Sequence, residues 1–338
     1  MKTIEPNELF KHISGNSLID VRTPAEFTAG HIPGAINIPL FSNVERAEVG
    51  TLYKQVGQRA AMLRGLDIVG PKMSEYVRQA SKLKFTDHLV VHCWRGGMRS
   101  SSFAWLMNTA GIPAVTVNGG YKGFRKFALS VINQDWNFKV ITACTGSGKT
   151  ELLLKLGELG EQVIDLEGLA DHKGSVFGGL GHAAQPTTEQ FENNLFWALK
   201  DFDIKQTVWV EDESMCIGHV FIPNDFYQRM HFSPMIKFGI PTEERVKRLV
   251  QEYSQFSKAE LAHAISKIAK RLGGDNVNRA LAELEKGNFE EVTRILLWYY
   301  DKAYNRSIDE RRNLIEYDKN YDFFNSETMA KEILASNK

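Results

Sequence analysis

Phe138-Lys-Val-Ile-Thr-Ala-Cys-Thr-Gly-Ser-Gly-Lys-Thr150 is the stretch from which the architecture is read. Phe138–Thr142 is a short apolar β run, and the pattern from Lys149 onward is helical. Between them Gly146 and Gly148 let the backbone curl, so that successive amides can converge on an anion at the positive end of the following helix. A strand feeding a helix in this way belongs to a parallel α/β sheet.

Thr145, Gly146, Ser147, Gly148, Lys149 and Thr150 match the Walker A motif in the strand–loop–helix context that the motif requires. They are the candidate diphosphate-binding residues: Lys149 reaches the terminal phosphates, and Thr150 is placed to ligate Mg²⁺. Ala143 stands where the motif usually has its first glycine. Further on, Thr207-Val-Trp-Val210 reads as a strand ending in Glu211-Asp212-Glu213. Glu211 and Asp212 there are candidates for holding the metal's water shell. No other metal site and no tightly bound cofactor are expected.

Working back toward the N-terminus, Ser17–Val21, His88–His92 and Ala114–Val117 read as strands, with helical patterns at Pro71–Leu83 and Arg99–Thr109. His92-Cys-Trp-Arg-Gly-Gly-Met-Arg-Ser100 joins the second of these strands to a helix. Reactive groups in α/β sheets sit beyond the carboxyl ends of strands. Cys93 is the candidate nucleophile, with Trp94, Arg95, Gly96, Gly97, Met98 and Arg99 as an anion-binding cradle. A helix N-terminus and nearby arginines favour the thiolate. The Cys-x5-Arg spacing suits either chalcogen transfer on cysteine or phosphate-ester chemistry.

Leu18-Ile-Asp20-Val-Arg22-Thr-Pro24-Ala-Glu26-Phe27, then Gly30-His31-Ile-Pro33-Gly34-Ala-Ile-Asn-Ile-Pro39, closely resembles the signature of the rhodanese domain and favours chalcogen transfer. Within that signature Asp20, Arg22, Glu26 and His31 are expected to hold the fold. The rhodanese loop normally has one residue fewer between Cys and Arg. A wider cradle able to take a phosphate-sized group is therefore expected.

The expected organisation is a rhodanese-like α/β domain with a parallel sheet over residues 1–133, a P-loop α/β domain over 134–240, and a helical C-terminal region over 241–338 packed on it. Residues 1–130 carry 16 lysines and arginines against 9 aspartates and glutamates, and the remainder carries 25 against 32. That asymmetry is compatible with an anionic partner at the first domain. No apolar stretch is long enough to span a bilayer. Acidic residues at positions 5, 8 and 20 argue against a signal peptide, and three cysteines without framework spacing point to a reducing cytoplasm. Cys144 and Cys216 read as small space-fillers.

Both loops together, with Phe177-Gly-Gly-Leu-Gly181, Gln185-Pro186 and Val210-Glu-Asp-Glu-Ser214, resemble the bacterial tRNA 2-selenouridine synthase family from about residue 15 to at least 305. Thr187-Thr188-Glu189 departs from the family's Ser-Gln-Lys at that point. The resemblance implies a transferase acting on the wobble 2-thiouridine of tRNAs for lysine, glutamate and glutamine. Its sulfur is first alkylated from geranyl diphosphate, and selenium from selenophosphate then replaces the S-geranyl group. Cys93 would carry selenium as an S-selanylcysteine, and the phosphate loop would bind the diphosphate of geranyl diphosphate. The competing expectation is a P-loop kinase or NTPase with a rhodanese domain. Lys267, Lys270, Arg271 and Arg279 are candidate tRNA contacts. The aromatic run Leu297–Tyr304 is expected chiefly as core, with base stacking or a prenyl pocket as the second reading.

Overall fold

The computed structural model describes residues 2–336, which form two compact units. One comprises the residues up to Val131 together with Glu192–Trp197. The other comprises Ile132–Phe191 and everything described from Ala198 onward.

The first unit is built on strands β1 (Thr3–Ile4), β2 (Leu18–Asp20), β3 (Ile36–Asn37), β4 (Leu89–His92) and β5 (Ala114–Val117). They lie in the order β1-β5-β4-β2-β3, with every pairing parallel. β2, β4 and β5 are buried along their whole length, as strands covered on both faces must be. The helix Pro24–Ala29 starts on a reciprocal cap in which Thr23 accepts from the Glu26 amide and Glu26 accepts from the Thr23 amide. β4 sits at the centre, so the loop after it opens at the carboxyl edge of the sheet.

The second unit holds β6 (Asn137–Thr142), β7 (Gln162–Ile164), β8 (Thr207–Glu211), the hairpin β9 (Cys216–Ile217) and β10 (Val220–Phe221), then β11 (Met235–Gly239) and β12 (Ile315–Asn320). Its main sheet runs β12-β11-β6-β8-β7, again all parallel, with β6 in the middle. The helices Lys149–Glu158 and Ser326–Ser336 bury Leu152, Leu153, Leu156, Met329 and Ile333 against this sheet. A further apolar cluster joins the helices Lys258–Lys267, Gly274–Glu285 and Phe289–Glu310.

The expectation of a helical region over 241–338 is corrected at β12. Ile315-Glu-Tyr-Asp-Lys-Asn320 is an edge strand in which Ile315 and Tyr317 are half-buried and the charged residues face out. Charged edges of this kind deter further strand pairing, and they also erase the apolar signal of a strand. Among the described residues no helix is long and apolar enough to cross a membrane.

Candidate functional site

Cys93 is the first residue after β4, and residues 94–97 lead into the helix Met98–Thr109. Its side chain is 3% exposed and packs on one side against the core of the unit. On the other side Sγ lies 3.2 Å from Ser100 Oγ, and its S–H points to the Gly97 carbonyl at 3.9 Å. The loop is pinned by the corner at residues 119–122: the Tyr121 amide donates to Cys93 O at 2.8 Å and the Lys122 amide to Trp94 O at 2.9 Å. Gly120, at φ +56°, makes that approach feasible. A Cβ there would fall 2.3 Å from Cys93 O and 2.4 Å from the Gly96 nitrogen.

Beneath the loop Arg22 and Asp20 form a fully buried ion pair at 2.6 Å, and Arg22 also donates to Gly30 O at 2.7 Å. The Arg22 guanidinium stacks 3.8 Å from the centre of the buried Tyr121 ring. Trp94, Arg95, Gly97 and Met98 are exposed around the loop. Arg99 turns away to Glu26, with Nη1 2.8 Å from Oε2. Of the two arginines expected to favour a thiolate, Arg99 is therefore already neutralised by a carboxylate, and Arg95 is in solvent. Ser100, whose hydroxyl meets the sulfur, was not singled out from sequence; its place one helical turn beyond Gly97 was the available signal.

In the second unit the loop after β6 carries Gly146 at φ +79° and Gly148 at φ +88° and opens the helix Lys149–Glu158. Lys149 Nζ donates to Ala143 O at 3.3 Å and lies 4.9 Å from the centre of the Tyr304 ring. Burial pulls its pKa down, but Tyr304, Glu213, Glu167 and Glu211 around it carry the pKa above the ordinary lysine value. Ser147 Oγ is buried without a hydrogen-bond partner, as a loop built to hold an anion would leave it. The loop faces a cavity of about 640 Å³ whose walls include Arg248, Arg271, Tyr300 and Tyr304.

Thr150 Oγ1 lies 3.0 Å from Glu211 Oε2 and 3.1 Å from Glu167 Oε2, although it has one proton to donate. Glu213, 7% exposed, completes the acidic group with Oε1 unpartnered. Burial, with Glu167 adding repulsion, pushes Glu213 up to about 8; burial and the carboxylates of Glu167 and Glu213 push Glu211 well above the usual range. Glu167 and Glu213 were not among the site residues expected from sequence, although Glu213 stands in the quoted acidic run.

Asp212 is placed differently from Glu211. It is held by Arg311 at 3.0 and 2.8 Å and by Thr142 Oγ1 at 2.8 Å. Arg245 fixes the start of the phosphate loop, donating to Thr145 O at 3.1 Å while pairing with Asp301 at 2.7 Å. Gln185 clamps two neighbouring segments through Ala170 O and Ile217 O, both at 3.0 Å. Within the aromatic run Leu297 is core, Trp298 is 61% exposed, and Tyr299, Tyr300 and Tyr304 line the cavity. Arg271 lines it too, Arg279 pairs with Glu291, and Lys267 and Lys270 are exposed. Cys144 has its thiol pKa raised by burial, and Cys216 donates to Gly218 O at 3.1 Å.

No set of three or more His, Cys, Asp or Glu side chains arranged to hold a metal occurs among the described residues. Mg²⁺ seldom needs one, since it binds through one or two carboxylates, waters and substrate phosphates. A hydroxyl flanked by two carboxylates beside an anion loop fits that pattern.

Comparison with known proteins agrees with this division. Residues 5–127 match the Rhodanese-like domain, and residues 136–332 match the tRNA 2-selenouridine synthase AAA domain. The tRNA 2-selenouridine synthase of Shewanella sediminis is 33% identical over 93% of this chain and 94% of its own. That of Nitrosomonas europaea is 33% identical over 89% and 91%. Among solved structures, the N-terminal domain of a Clostridium difficile 630 protein is 39% identical over 38% of this chain and 99% of that one, with a TM-score of 0.36. With relatives this similar across nearly its whole length, and with the synthase's own domain matched over more than half of it, the chain belongs to the tRNA 2-selenouridine synthase family.

Proposed function

We propose that this chain converts 2-thiouridine at the wobble position of tRNAs for lysine, glutamate and glutamine into 2-selenouridine by two transfers. In the first, the thiocarbonyl sulfur attacks C1 of geranyl diphosphate, the C–O bond to diphosphate breaks, and N3 loses its proton. A thiocarbonyl sulfur leaves poorly, whereas the S-geranyl product is an isothiourea-like centre open to attack at C2. In the second, water cleaves the P–Se bond of selenophosphate and phosphate departs; the selenium, at the selenide level, adds at C2, and the geranyl thiol leaves.

The observation that carries this reading is the presence of a cysteine loop and a phosphate loop in one chain, each at the carboxyl end of a central parallel strand. In this reading Cys93 carries selenium before delivery, with the loop from Trp94 to Arg99 around it. Thr145 to Thr150 hold the diphosphate, and Lys149 with the loop amides stabilises the charge that develops as it leaves. Mg²⁺ at Thr150, with Glu211 and Glu167 nearby, would neutralise further diphosphate charge. Asp212 supports the site through Arg311.

The test is mass spectrometry of wobble nucleosides from cells carrying Cys93→Ala or Lys149→Ala. Cys93→Ala is expected to accumulate S-geranyl-2-thiouridine, and Lys149→Ala to leave 2-thiouridine unmodified. Absence of the S-geranyl species in the first strain, or its abundance in the second, would overturn this division of labour. A melting temperature raised by ATP and not by geranyl diphosphate would instead favour an NTPase.

A further inference from the structure

The phosphate loop has a second neighbour besides the large cavity. A recess of about 60 Å³ opens beside Thr145 and runs between the helices Thr242–Tyr253, Lys258–Lys267 and Phe289–Glu310. Phe177, Leu261, Phe289, Val292 and Leu296 line its depth together with the hydroxyls of Ser254 and Thr293, and no charged side chain lines it. Thr145, Ser175, Leu249, Tyr253 and Tyr300 line both the recess and the large cavity, so the two adjoin across these residues. Leu249 is the threshold: a Cβ on Gly146 would stand 2.9 Å from its Cγ and Cδ1, so the leucine abuts the anion loop itself. The hydroxyl of Tyr300 is engaged by the Val176 amide at 3.4 Å, which leaves its ring as the surface offered to a ligand.

An anion cradle adjoining an uncharged, largely aliphatic and aromatic recess describes an amphiphile with a diphosphate head. The polar side chains on its walls are all hydroxyls, of Thr145, Ser175, Ser254, Thr293 and two tyrosines, and no amide, carboxylate or cation is there to read a nucleobase edge. We infer that the recess is the hydrocarbon subsite of the diphosphate donor, entered past Leu249 and Tyr300, and that Leu261, Val292 and Leu296 at its depth limit the chain's length. This rests on the diphosphate reading of the loop given above. At roughly 10–15 Å³ for each water-sized group, the recess takes about four to six non-hydrogen atoms. That is the size of one isoprene unit. A ten-carbon chain would place its first unit against Leu249, Tyr253 and Tyr300 and its terminal unit in the recess, and a fifteen-carbon chain would overrun it.

Two variants move the limit in opposite directions. The full-length chain is given dimethylallyl, geranyl or farnesyl diphosphate with an anticodon stem-loop RNA containing 2-thiouridine, and S-prenyl products are quantified. Val292→Phe, which fills the recess, should lower the ratio of geranyl to dimethylallyl transfer at least tenfold. Leu296→Ala, which deepens it, should raise the ratio of farnesyl to geranyl transfer at least fivefold. Circular dichroism melts establish that each variant is folded, and Val292→Leu is the milder filling variant should Val292→Phe not fold. Folded variants with both ratios unchanged would overturn the assignment while leaving the diphosphate reading intact. Should the unaltered chain transfer none of the three groups, that reading falls and the assignment with it.

Discussion

Arg99, on the first turn of the helix after the cysteine loop, is paired at 2.8 Å with Glu26, which also closes the cap on the helix Pro24–Ala29. One carboxylate thus ties the cysteine loop to the segment Asp20–Glu26. Glu26→Ala removes half of a capping box and leaves Arg99 without its partner, so the unit should lose about 1–2 kcal/mol in urea unfolding. Burial raises the Glu26 pKa, but the hydrogen bonds from Arg99 and Thr23 outweigh it and hold the carboxyl below the ordinary glutamate range. A depressed folded pKa contributes stability that is present above the unfolded value and is lost as pH falls through the folded one. The substitution should therefore flatten the loss of stability below about pH 4.5.

Gly120→Ala tests the packing of the loop on the 119–122 corner. The new methyl would meet two backbone atoms within 2.4 Å, at a residue whose φ of +56° already disfavours a side chain. The loop around Cys93 must move, at a cost of about 1–3 kcal/mol. Selenium transfer should fall at least tenfold, with S-geranyl product still forming, as read from nucleoside mass spectrometry. Equal loss of both steps would show that the effect is not local to the cysteine loop.

His92 gives the first unit a second acid-sensitive group. Its ring is fully buried, with Nε2 3.7 Å from Asp20 Oδ2, and burial lowers its pKa to about 4 despite that carboxylate. An unfolded histidine takes up its proton near pH 6.5, so the unfolded state binds more protons between about pH 6.5 and 4. Stability should fall across that window as pH decreases, by roughly 3 kcal/mol if the unit unfolds in one step. His92→Gln should remove most of that slope. A chain whose urea midpoint is flat from pH 7 to 4.5 would refute a buried neutral histidine here.

What sequence made legible was local. An apolar strand running into a glycine loop and a helix is a continuous signal, and both Cys93 and Lys149 were singled out through it. Partners far along the chain leave no such trace: Arg99 and Glu26 are 73 residues apart, and Arg311 and Asp212 are 99 apart. Glu167 escaped notice because it follows a three-residue strand, where an acid reads as an ordinary helix start, and only the sheet order brings it to Thr150. β12 was hidden because an edge strand facing solvent needs few apolar residues.

Two adjacent acids at the end of β8 should answer substitution in opposite ways. Asp212 and Arg311 are both nearly buried and held by two hydrogen bonds, so Asp212→Asn strands a guanidinium without a counter-charge. Breaking such a pair from one side costs about 3–5 kcal/mol. Glu211 is instead crowded by Glu167 and Glu213, and burial adds to the penalty on its charge. Glu211→Gln removes part of that repulsion and should raise the melting temperature while slowing prenyl transfer at least tenfold, because the group flanking Thr150 is altered. Thermal melts and single-turnover S-geranylation on the two variants separate a supporting acid from one that serves the diphosphate. An Asp212→Asn chain as stable as the parent, or a Glu211→Gln chain with unchanged prenyl transfer, would reverse the assignment.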